Sequence, residues 1–258
     1  MLFLPFCLLI QQLVFAQDSV PVKVHHAEPL YMDLVRDLGA RKGEKEINVA
    51  GDFLSLNGYK EYVYLAEYEF APINRLGLEI ETDFSFYKGD NPEVIKGGKF
   101  DALRLSAQYS FYVSKEQATT LAVVYTQLFE FNEFNKMKND HFLTGLAYNP
   151  SFIAAKNFKD RYHLLLYTGP VFEKLLKEND TSFKWSINTS FHYTLPNSGH
   201  FIGVEVNQMA SKNKLETTVR PQVKIQLNEE FAVGLVTGFP IHNKEESFSS
   251  FFRLIYVL

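Results

Sequence analysis

The stretch Ser182-Phe-Lys-Trp-Ser-Ile-Asn-Thr-Ser-Phe-His-Tyr193 decides the fold. Phe183, Trp185, Ile187, Thr189, Phe191 and Tyr193 alternate without a break against Ser182, Lys184, Ser186, Asn188, Ser190 and His192. A period of two residues is that of a β-strand with one apolar and one polar face. A soluble sandwich also alternates, but its strands usually run about 5–6 residues. This run is about twice that and matches the ~9–11 residues of a tilted strand crossing a bilayer. Two further runs repeat it. Leu76, Leu78, Ile80, Thr82, Phe84 and Phe86 alternate with polar or small residues, as do Thr217, Val219, Pro221, Val223, Ile225 and Leu227.

Extended outward, the same reading predicts twelve strands, at about 46–54, 60–70, 76–86, 101–112, 119–130, 141–149, 161–172, 182–194, 200–208, 215–227, 231–239 and 248–258. Short connections, such as Ala71 to Arg75 and Asn228 to Glu230, alternate with longer ones at Tyr87 to Phe100, Phe131 to Asp140, Glu173 to Thr181, Gln208 to Lys214 and Pro240 to Ser247. That alternation is the pattern of outer-membrane barrels, with periplasmic turns and extracellular loops. Pro150 to Asp160 departs from it, as a long connection where a short one is due. Pro221 lacks a ladder donor and predicts a local bulge. Phe248, Ser250, Phe252, Leu254, Tyr256 and Leu258 form one face of the last strand, as in the terminal assembly strand of bacterial barrels. The expected fold is therefore an all-β transmembrane antiparallel barrel of about twelve strands.

Composition agrees with this class. The 258 residues include 24 Phe, 14 Tyr and 1 Trp, an aromatic load foreign to disorder. A net charge of −4 excludes a nucleic-acid partner by charge. Met1 to Ala16 is uncharged, with a short apolar core and Val14 and Ala16 before a cleavage point, and reads as a secretory signal. The only cysteine, Cys7, lies within it, so no disulfide or thiol chemistry is expected beyond it. Residues 17–45 form an N-terminal segment in which Leu30, Leu34 and Leu38 recur at helical spacing between Pro29 and Gly39. They predict a short helix docked in or under the periplasmic mouth of a barrel that occupies 46–258.

The block His26-Ala-Glu-Pro-Leu-Tyr-Met-Asp-Leu-Val-Arg-Asp-Leu-Gly-Ala-Arg-Lys-Gly-Glu-Lys-Glu46 resembles the opening of a family of Bacteroidetes outer-membrane β-barrel proteins. Asn149 to Lys156 and Tyr167 to Pro170 are similar to the same family. The resemblance implies a Gram-negative envelope and a barrel. It implies no activity, because the family offers no catalytic or binding residues to carry over.

Chemistry-bearing motifs are sparse. His25, His26 and Glu28 are adjacent on an N-terminal segment without spacing that converges on a metal ion. His163 and His192 sit in strands rich in serine, but no nucleophile motif marks a Ser–His site. Lys96-Gly97-Gly98-Lys99 is too short for a phosphate cradle. No catalytic residue, metal or cofactor is expected. What remains is the inward face, with Glu79, Glu81, Asp83, Arg104, Gln108, Lys184, Asn188, His192, Glu205, Glu216, Arg220, Gln222 and Lys224 as lumen-lining candidates. Glu79 and Glu81 are expected near Arg104, and Glu205 near Arg220. Charged rows of this kind either close a lumen by salt bridges or select solutes. The expected partners are outer-membrane lipids and a small solute, for a channel or transport component. An outer-membrane lipid hydrolase and a structural or adhesive barrel acting through its outer loops are the alternatives.

Overall fold

The computed structural model describes residues 21–56, 58–89, 97–132, 142–177, 180–241 and 246–258. The leader expected over residues 1–16 lies outside them. Twelve antiparallel strands close into one barrel: β1 (Lys45–Leu56), β2 (Tyr59–Ile73), β3 (Leu76–Gly89), β4 (Gly97–Ser114), β5 (Thr119–Phe131), β6 (Leu143–Phe158), β7 (Tyr162–Leu175), β8 (Asp180–Thr194), β9 (Phe201–Ser211), β10 (Lys214–Gln226), β11 (Phe231–Pro240) and β12 (Glu246–Val257). Each strand pairs with its sequence neighbours, and β1 closes the ring on β12 with Gly51 opposite Phe252. Closure leaves no unpaired sheet edge, the condition for a β-structure in lipid.

Alternation sets the two faces. Ile80, Phe84, Leu105, Val123, Phe152, Leu164, Phe191, Ile202, Leu235 and Phe252 are exposed on the outside. Aromatic contacts form two belts there. One holds Phe84–Phe100–Phe131–Phe142, Phe172–Phe183 and Phe239–Phe248 at the loop end. The other holds Tyr162–Phe191, Tyr162–Tyr193 and Phe231–Tyr256 at the end of the short turns. An apolar band flanked by aromatic girdles is the outer surface of a transmembrane barrel.

Three details differ from expectation. The long connection at Pro150 to Asp160 is absent, because β6 continues to Phe158 and a tight turn leads into β7. Pro150 and Pro170 fall in the one interval where the β6–β7 ladder is interrupted, between Tyr148↔Phe172 and Phe152↔Thr168, and the register resumes unchanged. The Asn149 side chain covers part of the gap, donating to the Pro170 carbonyl at 3.2 Å. Pro221 likewise causes no bulge: β10 and β11 keep one register on either side of it, Val219↔Phe239 and then Gln222↔Val236. Finally, several long loops shorten because the strands run on. β9 ends at Ser211 and β10 begins at Lys214.

No helix occurs among the described residues. The segment expected to be helical, 29–38, is irregular and lies inside the barrel. Its leucines do not share a face. Leu30 packs with Ala27, Ala50, Phe201, Ala232, Val236, Phe251 and Ile255 on one wall. Leu34, Val35 and Leu38 pack with Ala122, Val124, Ile153, Ala155, Leu165 and Tyr167 on the other. The segment thus bridges β1, β9, β11 and β12 to β5, β6 and β7, and both cores sit near the turn end, where it joins β1.

Candidate functional site: a plugged lumen

Wall side chains satisfy the backbone groups of this irregular segment. The Leu30 N–H donates to Gln222 Oε1 at 2.8 Å, and those of Tyr31 and Met32 donate to the two Glu205 oxygens at 3.1 and 3.2 Å. Gln108 donates its side-chain amide to the Arg36 carbonyl. The Gly39 N–H, in a turn with φ of 76°, donates to Ser110 Oγ at 2.9 Å, and Asn157 donates to the His25 carbonyl at 3.0 Å. These bonds satisfy buried backbone groups that would otherwise be costly.

Ion pairs add to the anchorage. Arg36 is almost fully buried and reaches Glu46 at 2.9 Å and Glu69 at 3.2 Å. Arg253 pairs with Asp33 of the plug and, at 3.1 Å, with Glu67. Lys23 lies 2.7 Å from Asp37 and 2.8 Å from Glu44. Burial opposes its charge, but these two carboxylates hold its pKa above the ordinary lysine value. Burial, with Asp37 alongside, pushes the Glu28 carboxyl up to about 8. Gly77 of β3 makes room for the plug: a Cβ there would lie 2.5 Å from Arg36 Cβ.

The sequence-derived candidates fall at several levels of this lumen. Arg104 pairs with Glu81 at 3.2 Å and Asp83 at 3.0 Å, while Glu79 accepts from Ser106 at 2.9 Å instead. Arg220 and Glu205 are register partners, yet each turns to the plug: Glu205 to the backbone of 31–32, Arg220 to the Tyr31 ring at 3.5 Å and to Ser249 at 2.7 Å. Lys184 pairs with Glu173 at 2.8 Å. Asn188 is buried and accepts from Asn207 at 3.0 Å. His192 contacts Gln222 at 2.9 Å. Glu216 pairs with Lys214, and Lys224 stands opposite Phe201 on β9.

His25, His26 and Glu28 do not converge. His26 meets Thr120 Oγ1 at 3.0 Å, the His25 ring stands edge-on to His163, and Glu28 accepts from the Leu38 N–H at 3.1 Å. His163 and His192 are buried inside the barrel, with hydrogen bonds to Thr194 and Gln222. Among the described residues no serine is bonded to either, so the lipid-facing Ser–His pair of a hydrolase is not formed. Sequence reasoning missed Asp33, Arg36, Glu67, Glu69, Gly77 and Arg253, all of which hold or border the plug.

Above the plug, toward the loop end, a cavity of about 270 Å³ remains. Tyr31, Met32 and Asp33 form its floor, and Glu79, Glu81, Arg104, Glu130, Asn149 and Arg253 are among its walls.

Together the closed ring, the apolar outer band and the lumen packed by its own N-terminal segment define a plugged transmembrane β-barrel of the outer-membrane type. The HAEPLYID-like family model matches residues 22–257, and the chain belongs to that family. Its fold is similar to an outer-membrane channel from Pseudomonas putida F1, at 9% identity and a TM-score of 0.66, covering 93% of this chain and 100% of that one. It is also similar to the KdgM porin, at 12% identity and a TM-score of 0.56, covering 82% of this chain and 98% of that one. The translocator domain of the autotransporter NalP from Neisseria meningitidis is similar at 7% identity and a TM-score of 0.50, covering 84% and 89%. No curated protein matches the sequence.

Proposed function

We propose that this protein is a bacterial outer-membrane channel for small polar solutes, held shut by residues 21–44 docked in its lumen. The Bacteroidetes source implied by the block His26 to Glu46 belongs to the same proposal. The observation that carries the reading is the construction of the lumen. A cavity with several charged side chains in its wall stands on one side of a barrier that is not part of the barrel ladder, so the barrier is removable while the wall stays intact. The barrier is chain, packed against two apolar patches and held by side-chain hydrogen bonds. The solved relatives named as channel and porin have the same fold, which supports a transport role without fixing the solute.

The test is conductance in planar bilayers of the full chain beside a variant lacking Asp18 to Leu38. The full chain should be silent or conduct rarely, and the shortened, heat-modifiable barrel should conduct steadily. A folded, shortened barrel that does not conduct would favour the structural or adhesive reading. Fatty-acid release that is lost in H163A and H192A would favour the hydrolase.

A further inference from the structure

We infer that the outer rim of β1–β3 binds the phosphate headgroup of an outer-leaflet lipid, with Lys60 and Lys88 as its cationic contacts. Register sets Ser55, Lys60 and Lys88 side by side in one row across the three strands, at the loop end. The next row toward the membrane centre is Phe53, Tyr62 and Phe86, and the one after it is Gly51, Tyr64 and Phe84. Tyr64, Phe84 and Phe86 are exposed on the outside of the barrel. Alternation by two carries Lys60 and Lys88 to that same face, where both are exposed. One strip therefore runs from ammonium and hydroxyl donors at the rim to aromatic rings in the lipid band. A ligand that matches both ends is an amphiphile with an anionic head.

The head position lacks a partner within the chain. Lys60 and Lys88 stand directly opposite each other, and like charges so placed destabilise a strand pair. Lys23, Lys184 and Lys214 each have a carboxylate neighbour. Among the described residues no carboxylate reaches Lys60 or Lys88, and the Lys60 ammonium stands over the Phe53 ring at 5.9 Å. The rim also holds a groove of about 390 Å³ at this place, with Ser55, Gly58, Tyr59, Lys60, Tyr62 and Lys88 among its walls. A phosphate monoester in the groove accepts charge-assisted hydrogen bonds from both ammoniums and removes their mutual repulsion.

Position selects a lipid over free phosphate. Aromatic girdles mark the membrane interface, and the lysine row lies one step outside Tyr62 and Phe86, at headgroup level. A free phosphate would leave the rings below unused, whereas the chains of a lipid lie along them. Lys174, near the loop end of β7, serves as a contrast: its strand partners are Leu146 and Thr181, with no second cation opposite.

The test uses the full chain refolded without lipid into an uncharged detergent, with bound lipid counted by native mass spectrometry. The probes are phosphatidic acid and phosphatidylcholine with the same acyl chains. One phosphatidic acid retained per chain, in preference to phosphatidylcholine, is the expected result. Losing one charge-assisted hydrogen bond of about 1.5–3 kcal/mol corresponds to about tenfold or more. Lys60→Gln and Lys88→Gln should therefore each weaken retention at least tenfold, and Lys174→Gln should leave it within about twofold. Heat-modifiable migration confirms that each variant is folded. Equal retention of the two lipids, or undiminished retention by the folded Lys60→Gln/Lys88→Gln double variant, would overturn the assignment. Displacement of phosphatidic acid by millimolar inorganic phosphate would overturn the lipid and leave a free anion as the ligand. None of these results depends on whether the barrel conducts.

Discussion

Replacing Leu34 and Leu38 together with alanine tests what holds the plug. Both side chains are 1% exposed and share one apolar pocket formed by Ala122, Val124, Ile153, Ala155, Leu165 and Tyr167. A single buried Leu→Ala change costs about 2–5 kcal/mol. The two leucines share neighbours, so their costs do not simply add, and about 4–7 kcal/mol is expected for the pair. None of this falls on the barrel ladder, because neither residue is in a strand. At about 1.4 kcal/mol per tenfold, the undocked fraction should rise by about 10³–10⁵. Trypsin reads that fraction directly. Arg36 is buried among carboxylates when docked and becomes cleavable only when the segment leaves. When reclosing outpaces cleavage, the rate follows the open population. Cleavage at Arg36 should therefore accelerate by at least about 10³, with the strands still resistant and migration still heat-modifiable. Conductance should rise in the same variant. An acceleration below tenfold in a folded barrel would mean that the apolar pocket does not hold the segment.

Gly77→Ala should also loosen the plug. Its Cβ would sit 2.5 Å from Arg36 Cβ, near the plug backbone and not at a flexible tip, and overpacking of this kind costs about 1–3 kcal/mol. Arg36 cleavage faster by about 5–150-fold checks it. Leu30→Cys with Gly234→Cys should lock the plug, since Leu30 Cγ lies 3.4 Å from a Cβ built on Gly234. Oxidised protein should lose even the rare openings that the reduced protein shows in bilayers, and equal behaviour would place Leu30 elsewhere. Ile187→Arg on the lipid face should cost about 2–4 kcal/mol in folding titrations. Asn188→Arg should spare the barrel but, lying against Pro29 and Met32, speed Arg36 cleavage. Docking should weaken with rising pH through Glu28. With its pKa raised from the ordinary 4.5 to about 8, the docked state holds the proton more tightly, so docking is strongest below pH 4.5 and loses this contribution as pH passes 8. Arg36 cleavage, corrected for trypsin's own pH profile, should rise between pH 6 and 8.5 in the wild type and stay flat in Glu28→Gln.

The strands were legible because each one separates two environments. Ile187 and Asn188 differ in solvent, and a period of two records that difference along the whole chain. The docking of the N-terminal segment at the barrel mouth was legible, but its conformation was not, for a related reason. Leu30, Leu34 and Leu38 repeat at a helical interval, but that interval arises from an irregular chain reaching two opposite walls. Pairwise reading of neighbouring strands held for Glu81 and Arg104 but not for Glu205 and Arg220, for the same cause. Glu205 and Arg220 do stand opposite each other, yet each is drawn to Tyr31, a residue that no rule of sheet register brings between them. Pro150 hid the continuation of β6, because a proline whose partner is also a proline leaves one shared gap and no break in register.

A usable signal was nevertheless present on the inward face. Ala122, Val124, Ile153, Ala155 and Leu165 form one apolar patch on the inward face and Val236, Phe251 and Ile255 another, while inward positions farther up, such as Glu81, Arg104 and Glu173, are charged. A water-filled lumen has no use for apolar patches on its wall. Two such patches, with small residues at Gly77 and Gly234, imply that a segment of chain lies against them. The unpaired leucines between residues 30 and 38 were the apolar surface within reach to cover them.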